Sequence, residues 1–272
     1  MIERYQLKKE SGQSNFSVFS NEDASVRLVI SGVGIAAAVA VAEISTVYPP
    51  GKEDFLLNFG TCAGGEAFPI GQVYLCNKLT EKAGGRTFYP DILYQHPFPE
   101  TELVSVSKVV ENVEKENGLF DMEAAYVYQA GSYYYSPDRM IFVKVVSDHG
   151  IQKKETDKER PQIPMKELME QTQEPLFSYL ETLRKISDLQ EEDGIKQGRI
   201  RQESQNEAAR LGESLHASVT MRMELEQLLY YWKLTGTGYQ ALLEEYSGRG
   251  ILPVKDKREG KKILEQLKAN LL

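Results

Sequence analysis

Two short stretches decide the fold: Leu119-Phe120-Asp121-Met122-Glu123-Ala124-Ala125 and, further along, Val145-Val146-Ser147-Asp148. The first places a Met-Glu pair at the start of a segment of small residues that we predict to be helical. The second ends a run, residues 140–146, that is apolar except for Lys144 and is of the kind found in a strand covered on both faces. Because each stretch delivers an acidic group at the edge of a buried element, together they predict a site rather than an exposed surface.

Strands and helices alternate through the first part of the chain. This pattern predicts an α/β domain with a largely parallel sheet, in which ligands bind at the carboxyl ends of the strands. The turns at 32–34 and 60–65 and the end at Ser147-Asp148 are predicted to lie at those ends. Asp121 is predicted to cap the following helix, since a carboxylate accepts the free N–H groups of a first turn. Strands are predicted at 15–20, 26–30, 55–59, 73–76, 103–110 and 140–146, and helices at 35–47 and 122–131.

The composition changes beyond residue 150. Residues 165–186 have the pattern of an amphipathic helix that closes the α/β domain, whereas 187–212 carry few large apolar groups and form a solvated helix or a linker. We therefore predict an α/β domain at 1–186 and a small all-helical C-terminal extension at 187–272. Within the extension, apolar residues return at helical spacing, at Met221, Leu225, Leu228, Leu229 and Trp232.

The net charge of −8 is unevenly distributed. Residues 1–150 hold 12 Lys and Arg against 19 Asp and Glu, and residues 151–272 hold 20 against 21. Nucleic-acid binding requires a basic surface that neutralises phosphates, and the acidic first part therefore disfavours it. In the second part, the basic run Lys255–Lys262 is first interpreted as a solvated helix face, and secondly as a surface for a protein partner.

Cysteine content and hydropathy bear on the location of the protein. The two cysteines, Cys62 and Cys76, cannot form a disulfide framework, and with three histidines they disfavour a structural zinc site. No run approaches the about 18 apolar residues that span a bilayer, and Met1-Ile2-Glu3-Arg4 has no signal-peptide pattern. These features predict a cytoplasmic protein without a membrane segment.

Five motifs occur in the order seen in a known superfamily. They resemble the purine nucleoside phosphorylase and nucleosidase superfamily, and most closely its 5′-methylthioadenosine/S-adenosylhomocysteine nucleosidases, over residues 10–186. The resemblance implies a three-layer αβα domain with a mixed, largely parallel central sheet, a homodimer, and no metal or organic cofactor. The motifs are Ser31–Ala38, Asn58–Gly65, Ile70–Val73, Phe120–Ala125 and Val145–Asp148.

The resemblance also implies a role for each site residue. Asp148, with Ser147 beside it, is the acid that protonates N7 of the purine, a role that suits a carboxyl group kept protonated by an apolar wall. Glu123 accepts hydrogen bonds from two ribose hydroxyls, and Met122 packs on the sugar face. The pocket floor is formed where the backbone approaches the nucleoside, at Gly60, Thr61, Ala63 and Gly64.

The chain departs from the family pattern in three places. The glutamate thought to activate water belongs to a first strand that would precede Met1, so the resemblance assigns no water-activating base. Val109, which would contact the purine, stands where the family has a stacking Phe. The segment Leu57-Asn58-Phe59 stands where phosphorylases have an arginine that holds phosphate. If there is chemistry, these departures favour water over phosphate as the nucleophile.

Each site residue also has a structural interpretation. Glu123 alone would be a carboxylate favoured at a helix N-terminus, Met122 alone a core filler, and Asp148 alone the cap of a turn. His149 as a replacement base and His96 at the mouth of the site carry less weight, because a histidine that begins a loop is usually just exposed.

The motifs together favour hydrolysis of the N-glycosidic bond of a purine (thio)nucleoside such as methylthioadenosine or S-adenosylhomocysteine. The competing hypothesis is a catalytically degenerate nucleoside-binding or scaffold protein whose helical tail recruits a protein partner. The third hypothesis is that phosphate, instead of water, cleaves the same bond.

Overall fold

The computed structural model describes residues 1–12, 14–110, 113, 118–150, 165–236 and 238–269. It divides into two compact units, Met1–Asp188 (unit 1) and Leu189–Leu272 (unit 2). Each unit contains a hydrophobic core of its own. No helix in the described ranges combines the length and the hydropathy that crossing a membrane would require.

Unit 1 begins with a small antiparallel sheet of three strands. The Asn21 side chain accepts a hydrogen bond from the backbone N–H of Val26 at 2.9 Å and so holds the turn between the last two. Both strands predicted in this region are present, but the expectation that the second one belongs to the central sheet is wrong, because the turn folds it back onto its predecessor. The strands are β1 (Lys8–Lys9), β2 (Ser17–Ser20) and β3 (Arg27–Ile30).

The remaining described strands form one central sheet. Their bounds are β4 (Leu56–Gly64), β5 (Val73–Glu81), β6 (Thr87–Phe88), β7 (Glu100–Ser105), β8 (Leu119–Asp121) and β9 (Met140–Asp148). They pair in the order β6-β5-β7-β8-β4-β9, and an additional pairing of β5 with β9 closes the sheet into a barrel. The pairs β4–β9, β5–β7 and β7–β8 are parallel, whereas β4–β8, β5–β6 and β5–β9 are antiparallel.

The sheet closes into a barrel, a feature that the expected three-layer arrangement did not include. The predicted mixed sheet is confirmed, and its two longest pairings, β4–β9 and β5–β7, are parallel. β4 and β5 are nine residues each, longer than predicted, because residues 60–64 continue β4 and residues 77–81 continue β5. The length of β5 lets its first residues, Val73 to Leu75, pair with β9 while its later residues pair with β7.

Two hydrophobic cores lie on opposite sides of β9, because successive side chains along a strand point to opposite faces. Phe142 joins a core with α1 (Ile35–Val47), which coincides with the predicted helix, and with α2 (Ala124–Gly131). The neighbouring Ile141 joins a second core with the first part of α3 (Met165–Ser214). The predicted closing helix is thus present as the beginning of a longer one.

Unit 2 is helical. Residues 187–212, for which a helix and a linker were both open, lie within α3. The Ser218 side chain caps α4 by accepting a hydrogen bond from the Met221 N–H, and all five predicted apolar positions of that helix are buried. The helices after α3 are α4 (Val219–Thr235), α5 (Tyr239–Gly248) and α6 (Lys257–Ala269).

Candidate functional site

The carboxyl-terminal end of β4 joins the two acidic stretches. Ala63 pairs with Phe120 of β8 on one side and with Asp148 of β9 on the other. A register shift between Cys62 and Ala63 brings Asp148, rather than Ser147, opposite Ala63. The strands that lead to Met122-Glu123 and to Ser147-Asp148 therefore flank the same end of β4.

Glu123 is held by two backbone N–H groups. Its Oε1 accepts a hydrogen bond from Gly34 at 2.9 Å, and its Oε2 accepts one from Met122 at 3.3 Å. Gly34 ends the predicted glycine turn with φ +68°, a conformation that favours glycine. Because each carboxylate oxygen has two lone pairs, both oxygens of Glu123 retain an acceptor site for a ligand.

Asp148 is half-buried at the end of β9. Its Oδ1 accepts a hydrogen bond from the backbone N–H of Gly150 at 2.7 Å, and its Oδ2 lies 2.7 Å from the Ser147 hydroxyl. The same hydroxyl lies 3.2 Å from the carbonyl oxygen of Cys62, so its one proton serves either acceptor. These contacts orient the Asp148 carboxyl group at the strand end.

The predicted floor residues lie in a strand and not in a turn. A Cβ on Gly64 would lie 2.8 Å from Phe68 Cβ and 3.1 Å from Leu119 Cδ2, and a Cβ on Gly60 would lie 3.4 Å from the Lys144 Nζ. Thr61 lies between these two glycines, in register with a residue of β9. The backbone of β4 thus runs without side chains at two positions where its neighbours approach closely.

A buried network, missed by sequence reasoning, lies beside Glu123. The Lys144 ammonium is 2.9 Å from Asp121 Oδ2, and both side chains are buried. Asp121 Oδ1 accepts a hydrogen bond from the Ser105 hydroxyl at 2.6 Å. Asp121 Oδ2 also accepts one from the Ala124 N–H at 2.8 Å, which confirms that this carboxylate caps α2.

The electrostatics of Lys144 follow from this pairing. Burial alone would lower the pKa of its ammonium, but the charge of Asp121 and the hydrogen bond to it more than offset that effect. The negative charge of Glu123 contributes in the same direction, and the pKa of Lys144 is raised. The signal available in the sequence was a lysine inside an otherwise apolar strand run, 140–146, since an unpaired buried lysine is rare.

His149 is attached to the predicted floor. Its Nδ1 lies 2.7 Å from the carbonyl oxygen of Gly64. Because a carbonyl oxygen only accepts hydrogen bonds, Nδ1 carries the proton in this contact. His149 is therefore half-buried and oriented, in contrast to the exposed loop residue expected from the sequence.

The strand predicted at 103–110 ends earlier than expected, and His96 packs in a different core. β7 ends at Ser105, so Val109 is not on a strand, and its side chain is 58% exposed. Its contact with a purine stays a prediction. His96 packs against Phe98 and Tyr179 of the core that contains α3, which is not the core of the site.

The fold and the site define a mixed α/β protein with two oriented carboxyl groups near one strand end. Within the described ranges, no group of three or more His, Cys, Asp or Glu side chains is placed to hold a metal ion. No family model and no curated protein matches the chain.

Similar solved structures include nucleosidases from several organisms. A 5′-methylthioadenosine/S-adenosylhomocysteine nucleosidase from Neisseria meningitidis, in complex with methylthio-immucillin-A, is 22% identical with a TM-score of 0.43, covering 54% of this chain and 81% of that chain. The nucleosidase from Chlamydia trachomatis bound to methylthioadenosine is 18% identical, with a TM-score of 0.46 and coverages of 64% and 88%. The 5′-methylthioadenosine nucleosidase from Arabidopsis thaliana is 14% identical, with a TM-score of 0.45 and coverages of 69% and 88%.

Proposed function

We propose that the protein binds a purine nucleoside at the end of β4 and hydrolyses its N-glycosidic bond, with methylthioadenosine or S-adenosylhomocysteine as the model substrates. The observation that carries the proposal is the pair of oriented carboxyl groups, Glu123 and Asp148, on the strands and helix that flank Ala63. In this proposal the Glu123 carboxylate binds the two ribose hydroxyls, and the Asp148 carboxyl group faces a ring nitrogen of the purine.

The ribose binds to Glu123 in this proposal. Two backbone N–H groups fix the carboxylate and leave one acceptor site on each oxygen, which matches two neighbouring hydroxyl donors. Met122 is partly buried against the cluster of Val106, Val113 and Phe120 and provides an apolar contact for the sugar face. The backbone of Gly60, Thr61, Ala63 and Gly64 lines the pocket, and Val109 contacts the base.

Asp148 supplies the proton in this proposal. Protonation of the purine at N7 lets the bond between C1′ and N9 break, and its electron pair moves onto the purine ring. The ribose carbon is then attacked by a water oxygen, which loses a proton to solvent or to a base that is not assigned. Ser147 orients the acid through its 2.7 Å contact with Oδ2. Proton transfer by a positioned side chain contributes roughly 10²- to 10⁴-fold.

Water is the proposed nucleophile, because the region before the floor offers no cation for phosphate. Leu57, Asn58 and Phe59 lie in the neighbourhood where the resemblance would place an arginine, and none of the three carries a positive charge. A phosphate dianion would therefore lack a cationic clamp there. Phosphorolysis is therefore disfavoured.

Release of adenine from methylthioadenosine tests the proposal. Wild type should release adenine equally with and without phosphate, and Asp148→Asn should slow release by about 10²-fold or more, since it removes the acid. The matched control is Asp138→Asn, because Asp138 is likewise bonded to a nearby serine hydroxyl, Ser136, at 2.5 Å but lies before β9. Release that requires phosphate, or an Asp148→Asn variant as fast as wild type, would contradict the hydrolytic mechanism.

The second candidate is a nucleoside-binding protein without turnover. It is favoured by an exposed apolar stripe on α4, which could receive a protein partner: Val219, Met223, Tyr231 and Leu234. No adenine release, together with methylthioadenosine binding that Glu123→Ala abolishes, would select this candidate over the hydrolase.

A homodimer and a cytoplasmic location complete the proposal. The first eight residues of α1, 35–42, are apolar on all sides, yet Ile35 and Val39 are 71% and 53% exposed, and a helix of this kind is usually covered. We propose that a second copy of the chain covers this side, and light scattering should then give twice the mass of one chain. The cysteines Cys62 and Cys76 are free and buried, which fits a reducing compartment, and cell fractionation tests that location.

A further inference from the structure

A buried network anchors the first turn of α2 to three strands of the barrel. Ser105 is in register with Asp121 across the parallel pair β7–β8, and Lys144 reaches Asp121 from β9. The Ser105 hydroxyl donates to Asp121 and also accepts a hydrogen bond from the Ala125 N–H at 2.9 Å. With Asp121 accepting from Ala124, both N–H groups that follow Glu123 in the chain are bound by side chains of the sheet.

We propose that Lys144, Asp121 and Ser105 are positioning residues for the Glu123 carboxylate. The inference rests on the proposed function, since it assigns these residues to the ribose side of the same site. Glu123 is the N-cap residue of α2. The hydrogen bonds of the network to the first turn of α2 therefore fix the position of the backbone that carries the Glu123 carboxylate. None of the three side chains touches the ligand in this proposal.

The position of Lys144 connects the network to the floor of the site. Its Nζ lies 3.4 Å from the place that a Cβ on Gly60 would occupy, and Gly60 is its register partner in β4. The network therefore contacts β4, which forms the floor, as well as α2, which carries Glu123. A shift of the ammonium would disturb both.

Stability alone is a poor explanation for such a network. Burying an ammonium and a carboxylate costs desolvation energy, and well-packed apolar residues in their place are often neutral or stabilising. A charged pair whose hydrogen bonds are directional instead fixes one geometry. Here the fixed geometry is that of the two N–H groups directly after Glu123.

The expected effect of loosening the network is specific to the ribose. A carboxylate displaced by about 1 Å loses its two hydroxyl contacts. We expect a displacement of that size to lower the affinity for the nucleoside by up to on the order of 10²-fold. Asp148, the proposed purine contact, is held by its own hydrogen bonds to Gly150 and Ser147 on the other side of β4, and these do not involve the network. The ratio of the affinities for methylthioadenosine and for free adenine therefore reports on the position of Glu123.

Calorimetric titration of Ser105→Ala and Asp121→Asn with methylthioadenosine and with adenine tests the proposal, with wild type and variants all carrying Asp148→Asn so that hydrolysis of the nucleoside is slowed during the titration. We expect methylthioadenosine affinity to fall by about 10- to 100-fold and adenine affinity to stay within about twofold of wild type. Glu53→Gln is the matched control, because Glu53 is paired with the buried Arg139 just before β9. This control should lower the melting temperature and leave the affinity ratio unchanged.

The outcomes separate the two proposals. If wild type favours methylthioadenosine over adenine and both network variants keep the full ratio, the positioning role is wrong while the proposed function stands. If wild type binds neither ligand, both are wrong. If Asp121→Asn does not fold, Ser105→Ala decides, because it removes one hydroxyl and keeps the ion pair of Lys144.

Discussion

At Gly64 the barrel has no room for a side chain. A Cβ there would lie 2.8 Å from Phe68 Cβ, 3.1 Å from Leu119 Cδ2 and 3.2 Å from Val146 Cγ1. Since these neighbours belong to a packed core, they cannot all move aside. We expect Gly64→Ala to lower the free energy of unfolding by about 1–3 kcal/mol, the usual cost of overpacking, as measured by urea denaturation.

Gly118→Ala is the control for this prediction. Among the described residues, a Cβ at Gly118 would meet only the ring of Phe120, at 3.9 Å, which is an ordinary contact distance. We expect a change within about 0.5 kcal/mol, as for substitutions away from crowded positions. Equal losses for both variants would show that the crowding at Gly64 is relieved by movement of the strand.

At the scale of single residues, the sequence predicted that two acidic side chains lie at the ends of buried elements. Glu123 and Asp148 do lie there and are oriented by hydrogen bonds, while their roles towards a ligand stay predictions. Ser105 and Lys144 were missed because their partner, Asp121, lies far away in sequence. Their contacts depend on the pairing of β7, β8 and β9, and no local pattern specifies that register.

At the scale of elements, the helices were predicted better than the strands. α1 lies where predicted because its apolar segment ends at Tyr48-Pro49-Pro50, and proline cannot continue a helix. β4 was cut short at Phe59 because the glycines at 60 and 64 were interpreted as a turn. In the barrel the same glycines permit close approach of neighbours, so the strand continues. Closure by the β5–β9 pair follows from strand lengths that the sequence pattern underestimated.

The packing of α3 on the barrel predicts a pH dependence. Tyr179 of α3 is buried in the core with β9, and burial, followed by the nearby Tyr94, raises its pKa to about 12. Because the unfolded pKa is about 10, the contribution of Tyr179 to stability is complete below pH 10. It is lost as the pH rises from 10 towards 12, by up to about 1.4 kcal/mol per pH unit.

Tyr179→Phe isolates this contribution. The variant should lose less stability than wild type between pH 10 and 11.5 in urea denaturation, because it has no phenol to ionise on unfolding. Tyr133→Phe is the control, since Tyr133 is 83% exposed, and its pH profile should follow that of wild type. Parallel profiles for all three proteins would mean that the Tyr179 phenol ionises as readily in the folded state.

At the scale of the whole molecule, the two units contain different intrinsic probes. Trp232, the one tryptophan of the sequence, is buried in the core of unit 2, where it stacks on Tyr239. Both cysteines of the sequence, Cys62 and Cys76, are buried in unit 1. Burial raises the pKa of the Cys76 thiol to about 12, and such thiols react slowly until they are exposed. Tryptophan fluorescence therefore follows unit 2, and thiol labelling follows unit 1.

Gly260→Ala should destabilise unit 2 and leave unit 1 unchanged. Gly260 of α6 packs directly on the backbone carbonyl of Leu215, which occupies the place of a Cβ, and because a backbone group cannot rotate away, α6 has to move. We expect the urea midpoint of Trp232 fluorescence to fall by the equivalent of about 3 kcal/mol, the upper end of overpacking costs, while the midpoint for thiol labelling stays at its wild-type value. Gly248→Ala is the control, since a Cβ at this helical position meets no described residue within 4 Å. It should leave both midpoints unchanged or raise the fluorescence midpoint slightly. A fall of both midpoints in Gly260→Ala would show that the two cores unfold as one cooperative unit.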